Sequence, residues 1–106
     1  LMEKANLSYL KKLAAGDLDF EKKIIAFIKL EFPQEKKHYQ KHFKSKEFTK
    51  AAADVHKIKH KISVLDLKKN HNLATQHEQN LKNSNTDLAS EFDTILKEMT
   101  GFINQL

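Results

Sequence analysis

Apolar positions along the chain recur at three- and four-residue intervals, and the intervals restart at a few polar or glycine-marked breaks. The last run is the clearest: Leu88, Phe92, Ile95, Leu96, Met99, Phe102, Ile103 and Leu106 keep helical spacing. Gly101 lies inside that helix and weakens its last turns. At the other end, a short helix is predicted from about Asn6, a good N-cap, with Leu7, Leu10 and Leu13 turned inward and Gly16 closing it. Asp17 caps a second helix whose apolar residues are Leu18, Ile24, Ile25, Phe27 and Ile28. Pro33 predicts a break, because its ring disfavours helix at Phe32 and suits the first turn of a third helix. That helix would run to about Lys44 and bury little beyond Tyr39 and Phe43. A further helix is expected from about Glu47 to Leu65. Another follows from Lys68 to Leu81, with Leu73, Ala74, His77 and Leu81 on one stripe. The NSNTD stretch at 83–87 carries loop and cap chemistry.

Short connections between successive helices imply antiparallel neighbours. The expected fold is therefore all-α: one domain spanning 1–106, an antiparallel up-down four-helix bundle with one or two short additional N-terminal helices. Composition agrees, since two Gly and one Pro are too few for an all-β chain with many tight turns. Apolar residues at 40% and charged residues at 31% fit a folded domain and not a disordered tail. A chain of 106 residues can bury one modest core, but it cannot also enclose a large substrate cavity. The absence of cysteine removes disulfides, thiolate zinc sites and cysteine nucleophiles. No apolar run approaches the length of a membrane span, and the opening LMEKANLSYL lacks a signal-peptide pattern. A cytoplasmic protein with no membrane contact is expected. The net charge of +5 comes from lysines scattered along the chain, with no interleaved aromatic motif. A solvated lysine surface accounts for it, and nucleic acid is not an expected partner.

Chemistry concentrates in residues 54–67, DVHKIKHKISVLDL. Each residue of a helix turns by about 100°, so Ala51, Val55, Ile58, Ile62 and Leu65 fall in one narrow, buried sector. His56 falls outside that sector, toward solvent. Its neighbours on that side are Ala52 a turn earlier and Lys59, His60 and Ser63 one or two turns later. An exposed histidine is most often a plain surface residue. A neutral imidazole is also a nucleophile, and Lys59 at i+3 can pair with a phosphoryl group carried on it. Ala52 and Ala53 leave room for another protein to approach.

The segment AADVHKIKHKISVLDL resembles the signature of histidine-containing phosphotransfer (HPt) domains, A-H-x-[LI]-K-G-S-[SA]-x-x-[LIV]-G. His56 falls on the phosphorylated histidine, Ile58 on the aliphatic position, Lys59 on the lysine and Leu65 on the late aliphatic position. The preceding GDLDFEKKIIAFI is similar to the family's G-D-x-x-[FL] helix opening, and LATQHE at 73–78 is similar to L-A-x-x-[LM]-E on the helix after the site. The likeness covers most of residues 7–82. This sequence departs from the pattern at His60 and Asp66, where the family has glycine, at Lys61, where it has a small residue, and at Val55, where alanine is common. His60 fills the space the first glycine leaves beside the phosphohistidine. It would either crowd a docking partner or reach the phosphate or the partner itself.

The resemblance implies a phosphocarrier without kinase activity of its own, occurring free or as the cytoplasmic end of a membrane-bound hybrid sensor kinase. A receiver domain's phospho-aspartate would phosphorylate His56, and a second receiver's aspartate would take the group away. The receiver would bring Mg²⁺, so no cofactor or metal is expected in this chain, and a monomer is expected. Lys59 would offset phosphoryl charge, and Glu78 would accept a hydrogen bond from the imidazole and fix its tautomer. Ala52, Ala53, His60 and Ser63 would meet the partner. The rival reading is a non-catalytic helical interaction module that binds through its lysine-rich face. The pairs His38/His42 and His56/His60 have the i, i+4 spacing of zinc ligands, but each lacks a third ligand, so no physiological metal site is expected. His71 reads as surface and His77 as partly buried. Asp54, Asp66 and Glu47 make no acid–base pair at these spacings.

Overall fold

The computed structural model describes residues 3–106, so the first two residues of the opening segment lie outside it. Five helices and no strand are found among the described residues: α1 (Ser8–Ala14), α2 (Leu18–Lys44), α3 (Phe48–Val64), α4 (Lys68–Lys82) and α5 (Ala89–Ile103). None of these helices is long and apolar enough to cross a membrane.

The break expected at Pro33 does not occur; α2 runs through it as one helix of 27 residues. An interior proline removes one backbone hydrogen bond and crowds the previous turn, at a cost of about 3 kcal/mol. Two features offset it. Pro33 is exposed, so the carbonyl left without its partner can face water. On either side of it Ile28, Phe32 and Tyr39 are buried in one core, which ties both halves of the helix to the same neighbours. The separate third helix of the sequence reading is thus the second half of α2, and a single short helix, α1, precedes it.

Helix ends follow local chemistry. The Asp17 carboxylate accepts the Phe20 backbone N–H at 3.0 Å and caps α2 as expected. Helices α2, α3 and α4 then close in one way, with Lys46, Asp66 and Ser84 at φ of 59°, 61° and 58°. The residue after each donates its N–H back into the last turn: Glu47 to His42 at 2.9 Å, Leu67 to Ile62 at 3.2 Å, Asn85 to Asn80 at 2.8 Å. This left-handed closure is the one glycine adopts at least cost, and here it is made without glycine at all three ends. It turns the chain sharply enough that α3 and α4 are separated by only Leu65, Asp66 and Leu67.

Pairing between α2 and α3 runs in opposite senses: His42 meets Asp54, while Glu31 and Glu35 meet Lys61. The core lies inside these helices, where Phe32, Tyr39, Val55, Ile58, Ile62, Leu65, Ala74, Leu81, Phe92 and Met99 pack together. At its centre the Tyr39 ring stands edge-on to Phe92, with centroids 4.9 Å apart. Three expected core positions are instead exposed: Leu13, Leu18 and Phe27. The reason is length. Helix α2 has 27 residues and α3 has 17, and Lys61, near the end of α3, already sits against Glu31. The first turns of α2 therefore run past the end of α3. His77, read as partly buried, is completely enclosed.

Candidate functional site

Helix α3 presents two chemically different sides, as its spacing requires. Val55, Ile58 and Ile62 have no exposure, whereas His56, Lys57, His60 and Ser63 face outward. His56 keeps 57% of its side chain exposed. Its Nδ1 lies 3.3 Å from the Oε2 of Glu78, which comes from α4. The same carboxylate accepts a hydrogen bond from the Lys59 Nζ on its Oε1 at 3.0 Å, and the Lys82 Nζ lies 3.6 Å from Oε2. One acid therefore gathers an imidazole and two ammonium groups from two helices. Burial alone would raise the Glu78 pKa, but Lys59 and His56 overcome it and hold the carboxyl below its ordinary value.

The arrangement sets the chemistry of the imidazole. A carboxylate facing Nδ1 favours the tautomer that carries its proton there, which leaves Nε2 with its lone pair, the form in which histidine attacks an electrophile. Because Nδ1 faces inward to Glu78, Nε2 is the nitrogen turned away from α4. Ala53 and Ser63 are exposed on the same helix. Ala52 is not; it is 1% exposed, which corrects the expectation that it flanks the open surface. It belongs to the buried core. Asp66, expected near a glycine position, adopts the left-handed backbone that glycine favours.

His60 is exposed, and its ring stands edge-on to His56 with centroids 5.4 Å apart. Lys61, where the family has a small residue, turns toward α2. Its Nζ bonds Glu31 at 2.7 Å and Glu35 at 3.0 Å on α2.

Two features escaped the sequence reading. Lys82 joins the Glu78 cluster; its signal was the i+4 spacing from Glu78. The other is a second imidazole–carboxylate pair on the opposite side of α3, where His42 Nδ1 lies 2.6 Å from Asp54 Oδ2. No spacing rule joins residues 12 apart on two different helices. The His42 bond is the shorter, but its side chain is only 23% exposed, against 57% for His56. Access for a bulky reactant decides in favour of His56.

Among the described residues no three His, Asp or Glu side chains gather in a way that could hold a metal ion. A groove of about 570 Å³ lies between α2 and α5, lined by Lys36, Tyr39, Phe43 and Lys97 among others, and it includes neither His56 nor Glu78. The imidazole is exposed on an outward face of α3. No protein-family model, curated protein or solved structure matches the chain.

Proposed function

We propose that the chain is an HPt-type phosphorelay intermediate. In this reading α2 to α5 form the antiparallel up-down four-helix bundle, α1 is the additional N-terminal helix, and the molecule works as a monomer in the cytoplasm. The observation that carries the reading is an exposed imidazole whose Nδ1 lies 3.3 Å from a carboxylate on a neighbouring helix. A site on an exposed helix face suits a reactant that arrives inside another protein's active site.

His56 Nε2 attacks the phosphorus of a receiver's aspartyl phosphate. The Nε2–phosphorus bond forms and the phosphorus–oxygen bond to the aspartate breaks, its electron pair returning to the carboxylate. The proton on Nδ1 stays in place, held by Glu78. The reverse step, on a second receiver, returns the lone pair to Nε2. Because the transition state is loose and nearly in line, the catalytic demand is positioning and charge neutralisation. The receiver supplies Mg²⁺, and Lys59, next to Glu78, supplies positive charge from this side. Ala53, His60 and Ser63 form the adjoining contact surface.

The test is labelling by a phosphorylated receiver domain. Acid-labile, alkali-stable phosphate should appear on the wild type and be lost in His56→Gln with the fold unchanged. Label retained in His56→Gln would end this assignment. A second reading, a helical interaction module, is favoured by a separate observation: Leu13, Leu18, Phe27 and Leu30 are large apolar side chains exposed on α1 and the first half of α2. A partner held there would bind the wild type and His56→Gln alike.

A further inference from the structure

His60 stands one helical turn beyond His56, and helical side chains lean toward the N-terminus, so its ring is carried back over the turn that holds His56. The 5.4 Å separation of the two ring centroids records that approach. The same turn holds two lysines: Lys57, which is exposed on the position next to His56, and Lys59, which is already engaged, its Nζ donating to Glu78 at 3.0 Å with only 14% of its side chain exposed. Lys82 is drawn to the same carboxylate. His60, by contrast, is exposed, and its ring stands edge-on to that of His56. With Nδ1 of His56 facing Glu78 at 3.3 Å, Nε2 is the nitrogen left for an added group, and the exposed His60 ring is the neighbouring aromatic ring, 5.4 Å from that of His56.

From this geometry we infer that His60 is a phosphoryl-holding residue: its ring N–H donates a hydrogen bond to an oxygen of a phosphoryl group carried on His56 Nε2, which makes the site a store that keeps its phosphate. The inference rests on the phosphocarrier reading of His56 and adds a residue and a property to it. A neutral imidazole has one N–H donor, so the contact exists without protonation of His60. A hydrogen bond to the anionic group lowers the energy of the phosphorylated state and not that of the free imidazole. The phosphohistidine should therefore last longer, and its transfer onward should be slower, than in a variant without the donor.

The experiment measures the lifetime of phosphate on His56. Phosphoramidate, which phosphorylates exposed imidazoles without any receiver, loads the protein, and mass spectrometry of the His56-containing peptide follows the loss in chelator. His60→Gly and His60→Phe, the latter keeping an aromatic ring without a donor, should shorten the lifetime about fivefold, the ratio a net hydrogen bond is worth. His60→Asn, which restores a donor, should recover most of it. Thermal melting should be nearly the same for wild type, His60→Phe and His60→Asn, because His60 is exposed, and slightly lower for His60→Gly, whose glycine lies inside α3. The ring nitrogen resonances of His60 should also shift on phosphorylation of the wild type. Equal lifetimes in wild type, His60→Gly and His60→Phe would overturn the inference, as would a His60→Asn lifetime as short as that of His60→Phe. Because loading needs no receiver, failure of receiver-dependent labelling would count against the phosphocarrier reading alone.

Discussion

Replacing His77 with glutamine should remove a large part of the acid sensitivity of this fold. The His77 side chain has no exposure, and its Nε2 shares a 2.8 Å hydrogen bond with the Tyr39 hydroxyl. The other ring nitrogen, Nδ1, is buried with no partner. A protonated imidazole must donate from both nitrogens, and only one is provided for, so burial pulls the His77 pKa down from 6.5 to about 4. The unfolded chain binds this proton more readily than the folded one. Stability from the neutral ring is thus fully present above pH 6.5 and is lost as pH falls toward 4. The limiting loss is about 3.4 kcal/mol, and between pH 8 and pH 5 it is about 2 kcal/mol. Glutamine can keep a bond to the Tyr39 hydroxyl and does not titrate. Urea unfolding of wild type and His77→Gln at pH 8, 6.5 and 5 reads the difference directly. Other groups titrate in both proteins and cancel. The wild type should lose about 2 kcal/mol more than the variant over that range, or roughly 1–2 M in urea midpoint. Parallel curves would refute the reasoning and would mean that water or a shifted partner reaches Nδ1 in solution.

Two further outcomes follow from the same structure. Lys59→Ala should leave the helical content unchanged, cost about 1 kcal/mol, and slow phosphoryl transfer to His56, as circular dichroism and receiver-dependent labelling would read; unchanged kinetics would remove Lys59 from the mechanism. The lowered Glu78 pKa means that its ion pairs add stability above pH 4.5 and lose it as pH falls below, so the variant should also show a shallower acid limb. Asp66→Gly should raise stability by about 0.5–1 kcal/mol, because the position already adopts φ 61°. A lower melting temperature would show that the Asp66 side chain contributes more than its backbone strain costs.

The local pattern carried much of this protein. Three-and-four spacing placed α3 to within a residue and the start of α5 likewise, although the run to Leu106 overshoots the end of α5 at Ile103, and Asp17 marked the start of α2 by the cap it makes. The division of α3 into an aliphatic side and a side bearing His56 and His60 was also legible, because it depends only on the turn angle of a helix. Pro33 shows where local information stops. Its backbone preference argues for a break, and a buried core on both sides of it outweighs a cost of about 3 kcal/mol. Leu18 and Phe27 show the same limit from the other direction, since whether an apolar side chain is covered depends on how far the neighbouring helix extends. The site divides likewise. Sequence could set His56 toward solvent with Lys59 a turn away. Glu78 beside His56 was expected only through the family resemblance; the packing of α4 on α3 decided that Lys59 and Lys82 meet the same carboxylate, and only the folded structure shows that Ala52 is buried. The encounters of His42 with Asp54, and of Tyr39 with His77, are of that second kind. They join residues distant in the chain, and such contacts follow from how helices are laid side by side, which no periodicity within one helix encodes.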